Sequence, residues 1–243
     1  MSFKSLIPLW LKSVLRNLFF LVITPFNVLW YFLFHRKFFG QVNQRALWEG
    51  RQQTDFEEIK KIEQDPYYRK FDEQIQGKLT ALNSQSYLEV GCYCGYRLNK
   101  FATRLLTKKF IGAELGFENL VFGQKQIIRS FNISLVNANV CQLPFKSNSI
   151  ETVYTVVCLT HVDYASIKRA LDEMIRVCAK NLLLVEVDMR PMALKKKIDV
   201  LNWNYGYMHF YEKLVGEQMK HIAIQPLYDL ADHPRYTMFE FRK

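Results

Sequence analysis

The chain has 243 residues, 49% hydrophobic and 23% charged, which excludes wholesale disorder and leaves room for one full domain with an attachment. Basic residues exceed acidic ones by 33 to 23, a net +10, and residues 1–50 hold six Lys/Arg against the single acid Glu49. A basic, apolar leader on a mildly basic body favours a membrane surface over a nucleic-acid groove. Five cysteines without a spaced framework argue against a disulfide scaffold and for a reducing compartment.

Residues 1–40 read as a hydrophobic membrane-anchoring segment. Leu6, Ile7, Trp10, Leu11, Val14, Leu15 and Leu18 recur at helical spacing, with Lys12 and Arg16 on another face, as in a helix lying in an interface. Asn17 to Phe34 is 18 residues without a charge. As a helix that run would reach roughly 27 Å, barely enough for a hydrocarbon layer of ~30 Å. Pro25 would kink it, and His35, Arg36 and Lys37 close it with a basic stop suited to phosphate headgroups. A transmembrane helix, a surface or re-entrant anchor and a buried hydrophobic arm all fit this pattern. Bulky aromatics and the lack of a small-residue cleavage site disfavour a secretory signal.

Residues 41–80 turn polar and read as a helical linker, and residues 81–243 as the main domain. There the signals alternate: strand Ser86–Val90, helix Leu98–Leu106, strand Phe110–Glu114, helix Glu118–Arg129 and strands Ile133–Val136 and Ile150–Val157. A helix Tyr164–Cys178 and a strand Leu182–Val187 follow. This order predicts an α/β fold, a doubly wound and mostly parallel sheet covered by helices. After a helix at about His209–Lys220, the strands Ile222–Tyr228 and Arg235–Arg242 lie too close for a helical crossover and should form an antiparallel C-terminal hairpin.

The first strand runs into Gly91-Cys92-Tyr93-Cys94-Gly95, where glycines let backbone amides approach a ligand. The third glycine of the dinucleotide fingerprint is missing, which weakens a nicotinamide-cofactor reading. Glu114 ends the next strand, 19 residues beyond Gly95, where a carboxylate can accept from both hydroxyls of a ribose. Together they point to an adenosine-bearing ligand. His161, after the fourth strand, has the chemistry of a general base; the blander reading, that it shapes the loop before a helix capped by Asp163, carries more weight from sequence alone. Glu186 and Asp188 end the fifth strand, followed by Arg190 and Lys195–Lys197, either a solvated face or a phosphate contact. The aromatic stretch Trp203, Tyr205, Tyr207, His209, Phe210 and Tyr211 reads either as acceptor cover or as core. Cys92 and Cys94 lack the second pair a zinc site needs.

From Tyr87 to Arg242 the sequence resembles the class I S-adenosylmethionine-dependent methyltransferases, particularly the branch acting on small molecules and lipids. The likeness is carried by Leu88-Glu89-Val90-Gly91-Cys92-Tyr93-Cys94-Gly95, by Phe110-Ile111-Gly112-Ala113-Glu114-Leu115, and by Asn139-Val140-Cys141-Gln142-Leu143-Pro144-Phe145 before an acid-containing strand. It implies a seven-stranded Rossmann-like fold and S-adenosyl-L-methionine as cofactor. Carried over by position, Glu89, Gly91, Cys92 and Gly95 would surround the methionine portion, Glu114 would hold the ribose, and Leu115 would pack on adenine. Asn139 and Val140 would meet the adenine edge, and Val157 and Cys158 would lie near the methionine and the substrate mouth. Two positions depart from the family: Tyr93 stands where a small residue is usual, and Asn139 where an Asp commonly accepts from the adenine amino group.

The expected protein is a membrane-associated methyltransferase with its catalytic domain on the cytoplasmic side. Its acceptor would be small or amphiphilic: a lipid, an isoprenoid-linked molecule or a glycan. No nucleic-acid partner is expected, because half the charge excess sits in the apolar leader. The competing reading is a catalytically degenerate, membrane-bound scaffold.

Overall fold

The computed structural model describes residues 64–162, 164–187, 211–227 and 236–243. The leader, most of the linker, Asp163, Asp188, Arg190, Lys195–Lys197 and the aromatic stretch up to Phe210 lie outside the described residues. Among the described residues, no helix is long and apolar enough to cross a membrane.

Helix α1 (Pro66–Leu82) starts where the Asp65 carboxylate accepts the Tyr67 N–H at 2.8 Å, with proline in its first turn. It ends at Asn83 in the left-handed region, φ 45°. Tyr67, Phe71, Ile75 and Leu79, four residues apart, form one buried stripe. This helix falls in the stretch read as a linker, and its stripe packs against Leu98, Phe101, Tyr87 and Met238 as part of the core. The Tyr87 hydroxyl fastens its end by donating to the Leu79 carbonyl and accepting from the Ser84 N–H, both at 2.8 Å.

Seven strands follow in one sheet: β1 (Ser86–Val90), β2 (Lys109–Glu114), β3 (Ile133–Asn137), β4 (Ile150–Val156), β5 (Cys178–Val187), β6 (Lys220–Pro226) and β7 (Tyr236–Arg242). Their order is β3-β2-β1-β4-β5-β7-β6; the first five are parallel, and β7 runs antiparallel between β5 and β6. The expected doubly wound sheet with an antiparallel end is present. Helices α2 (Tyr96–Ala102) and α3 (Phe117–Gln126) make the first two crossovers, and α4 (Tyr164–Val177) leads into β5. Two apolar clusters cover the two faces of the sheet. The order reverses between β1 and β4, the place where open α/β sheets accept ligands.

Beyond shifts of a few residues at element ends, three features differ from the sequence reading. Strand β5 begins at Cys178 directly after α4, because Cys178 pairs with Ile150 and the Asn181 amide donates to Thr152 Oγ1 at 3.2 Å. The helix expected at His209–Lys220 is, within the described residues, a π-helical turn at Tyr211–Val215, and Lys220 already belongs to the ladder with Arg242. Strand β7 alternates in sequence yet is buried on both faces from Tyr236 to Phe241, since Phe239 and Phe241 join one apolar cluster and Tyr236 and Met238 the other. Its Glu240 is paired with Lys78 of α1.

Candidate active site

The turn after β1 is shaped by backbone conformation. Gly91 and Gly95 both have φ +75°. A Cβ on Gly91 would collide with the side chain of Cys158, so glycine lets the turn abut the segment leaving β4. Gly123 does the same from α3, where a Cβ would meet the Cys94 carbonyl oxygen. Tyr93, at a glycine position of the family pattern, takes a glycine-like φ of +52°.

The acid that ends β2 is turned toward this loop. Glu114 Oε2 accepts the Tyr93 N–H at 3.0 Å, while Oε1 accepts the Gly116 N–H at 2.9 Å and the Asn119 amide at 3.4 Å. The N–H groups of Gly91 and Cys92 donate to the Ala113 carbonyl at 2.8 and 3.2 Å. The glycine turn and the end of β2 are thus one hydrogen-bonded unit.

Glu89 lies under the loop, buried, accepting from the Tyr154 hydroxyl at 3.2 Å. Burial pushes its carboxyl up to about 7, against the opposing pull of the Arg97 guanidinium. Arg97 Nε donates to Asp72 of α1 at 2.9 Å, and Lys100 to the other oxygen at 2.7 Å. The first helix therefore supplies the counter-charge for a cation at the site.

Opposite stands the turn Leu159–His161 after β4. Its shape comes from a neighbouring strand. The fully buried Glu186 of β5 accepts from the Thr155 hydroxyl at 2.8 Å and from the N–H groups of Cys158, Leu159 and Thr160 at 3.3, 3.1 and 3.3 Å. Burial raises its carboxyl to about 7 in spite of these donors. Just before the turn, Val157 has φ +57°, a strained conformation for a β-branched residue. The third wall is the loop after β3. Asn139 Oδ1 accepts the Cys141 N–H at 2.9 Å, and Glu173 and Arg176 of α4 hold the N–H of Leu143 and the carbonyls of Leu143 and Phe145.

These walls enclose a cavity of about 370 Å³. Of the residues assigned from sequence, Glu89, Gly91, Cys92, Glu114, Leu115, Asn139, Val140, Val157, Cys158 and His161 line it together. Gly95 does not; it sits behind the loop, facing Ile128 and Leu135. Sequence reasoning missed Arg97, Tyr154 and Asp72, and named Glu186 without its role. A glutamate inside the apolar run Leu182–Val187 was the available signal, since a charge in a buried strand demands partners. Burial drives the Cys92 and Cys158 thiols well above their usual range, so both stay protonated. Among the described residues, no cluster of His, Cys, Asp or Glu could hold a metal ion.

An adenosyl sulfonium fits this donor set: glycine backbone for close approach, a carboxylate at the β2 tip, a buried acid beneath and apolar walls for a purine. Residues 88–181 match the family model described as a methyltransferase domain, and the seven-stranded fold is that of the class I S-adenosylmethionine-dependent methyltransferases. The fold is shared with magnesium protoporphyrin IX methyltransferase from Synechocystis PCC 6803, solved with bound SAH, at TM-score 0.65 and 13% identity over 83% of this chain and 100% of that one. The SAM-bound structure of that protein aligns at TM-score 0.60 and 12% identity, covering 83% of this chain and 98% of that one. N-methyltransferase NodS from Bradyrhizobium japonicum WM9 aligns at TM-score 0.58 and 14% identity, covering 73% of this chain and 97% of that one. No curated protein sequence matches the chain.

Proposed function

We propose that the protein methylates a small or amphiphilic acceptor (a lipid, an isoprenoid-linked molecule or a glycan) while attached to the cytoplasmic side of a membrane through residues 1–40. The observation that carries the methyltransferase part is the Glu114–Tyr93 hydrogen bond of 3.0 Å, which joins the β2 acid to the glycine turn at the switch point of the sheet. Membrane attachment rests on the 18 uncharged residues from Asn17 to Phe34 and the flanking cations.

When bound, the cofactor supplies a methyl group already activated by its sulfonium. The chain's own task is to orient and to exclude water. Glu114 holds the ribose, Glu89 faces the cationic methionine end, and Leu115, Asn139 and Val140 frame the adenine. Cys158 and Val157 shape the side from which the acceptor enters. His161, carried by the turn that Glu186 organises, takes the acceptor's proton where the nucleophile has one to lose. Lys195–Lys197 remain candidates for a phosphate on the acceptor.

Calorimetric titration of the full chain with S-adenosylhomocysteine tests the cofactor assignment. Binding that Glu114→Ala weakens by about tenfold or more supports it, that being the loss of roughly one charge-assisted hydrogen bond. The scaffold reading draws on two observations: the left-handed Tyr93 and the engagement of Asn139 Oδ1 by Cys141. It prevails if no heat of binding is seen. Deletion of residues 1–40 should release the protein from the membrane fraction; retention there defeats the anchor.

A further inference from the structure

The end of the sheet away from the cavity carries a feature that methyl transfer does not use. Two loops meet there, the turn between α2 and β2 and the turn between α3 and β3. The Asn132 amide knits them by donating to the carbonyls of Ala102, Leu105 and Lys108 at 3.3, 3.1 and 2.8 Å. Asn99 Oδ1 adds the N–H groups of Arg129 and Ser130 at 2.9 and 3.2 Å. On this braced corner Phe131 is 83% exposed and Leu106 51% exposed. A backbone so fully bonded presents these side chains outward at a cost that core burial would avoid.

The charge around them has one sign. Residues 99–109 and 125–133 hold six Lys/Arg and no Asp or Glu. Lys100 is committed to Asp72, whereas no ion pair among the described residues engages Arg104, Lys108, Lys109 or Arg129. The acid whose field reaches Lys108, Glu151, is already bound to Lys180 at 2.7 Å. The Arg129 guanidinium closes the end of α3, donating to the carbonyl of its last residue Gln126 at 2.9 Å and to that of Ile128 just beyond at 3.0 Å, and so stays fixed on this corner.

We propose that this corner is a docking surface for an anionic lipid bilayer, with Phe131 and Leu106 entering the acyl boundary and Arg104, Lys108, Lys109 and Arg129 meeting the headgroup phosphates. Apolar tips ringed by cations are the arrangement that such an interface selects. An aliphatic Leu106 on the same corner as the single ring of Phe131 suits acyl chains better than stacked bases, which need aromatic platforms. The surface lies at the starts of β2 and β3, so docking leaves the cavity at the strand ends open. It is independent of the apolar leader and of the methyltransferase reading.

Hydrogen exchange read by mass spectrometry on the full chain tests the proposal, using phosphatidylcholine vesicles with and without phosphatidylglycerol. Peptides covering 103–109 and 127–133 should gain protection only when the anionic lipid is present. Replacing Phe131 and Leu106 together by Ser should abolish that protection, while Phe131→Trp preserves it; both positions are exposed, and circular dichroism verifies that the fold survives. Arg104→Glu with Lys109→Glu should raise the lipid concentration for half-protection by about tenfold or more. Unchanged exchange at both peptides, equal protection by neutral vesicles, or protection by single-stranded RNA in place of vesicles overturns the proposal. Peptides from residues 1–40 report the leader separately in the same experiment, so failure at the corner leaves the anchor standing.

Discussion

The two turns that face each other across the cavity are built by opposite means. The one after β1 is made locally: Gly91 and Gly95 at φ +75° bend the chain, and the residues that matter are neighbours in sequence. The one after β4 has no glycine. A carboxylate from another strand, Glu186, gathers three of its N–H groups and a hydroxyl, and Val157 accepts a strained φ of +57° to enter it. Local shape survives wherever its own few residues do, whereas gathered shape depends on one distant side chain.

Removing that side chain should do the most damage. Glu186→Ala leaves three N–H groups, two of them buried, and the buried Thr155 hydroxyl without their acceptor, and melts should show a loss of about 3 kcal/mol or more. Methyl transfer should fall with it if acceptor positioning depends on the turn. The local turn should lose less: Gly91→Ala forces an unfavourable left-handed alanine, about 1–2 kcal/mol, plus the collision with Cys158. Its larger effect should appear as weakened S-adenosylhomocysteine binding, seen by calorimetry.

The pH dependence sharpens the contrast. Glu89 and Glu186 are both raised from 4.5 to about 7 in the folded protein, so the stability linked to each is complete below about 4.5. It drains away as pH rises through about 7, where each buried acid must ionise. Thermal melts should therefore show the wild type losing stability from about pH 4.5 to about pH 7 and levelling off above, with a shallower decline in Glu89→Gln. Cofactor affinity should move the other way, strengthening as Glu89 ionises opposite a cationic ligand, and Glu89→Gln should flatten that profile too. The smallest effect is expected at Tyr93→Gly. Relief of a left-handed tyrosine offsets the lost ring contacts and the freer unfolded chain, leaving stability within about 1 kcal/mol of wild type.

The same contrast explains what could be read in advance. Strand β1, the glycine turn and Glu114 were legible because their signals are contiguous: an apolar run, punctuation, then an acid at the next strand end. The antiparallel end of the sheet was legible from the short spacing between its strands. Cys178–Asn181 was not recognised as strand, because its extension depends on pairing with β4 and on the Asn181–Thr152 bond. Nor was the Asp72–Arg97 clamp, which joins residues 25 apart on two helices, or the hold of Arg176 on the loop at Leu143–Phe145. Such contacts have no period and no punctuation; tertiary packing alone brings them together.

The burial of α1 has a practical corollary for anyone trimming the gene. A fragment started at the first strand would strip Tyr67, Phe71, Ile75 and Leu79 from the sheet, bare the ring of Tyr236, and leave Arg97, Lys100 and Glu240 without the partners that α1 provides. The shortest piece worth expressing therefore opens upstream of Asp65, and precipitation of anything shorter would report a missing wall and say nothing about the chemistry inside.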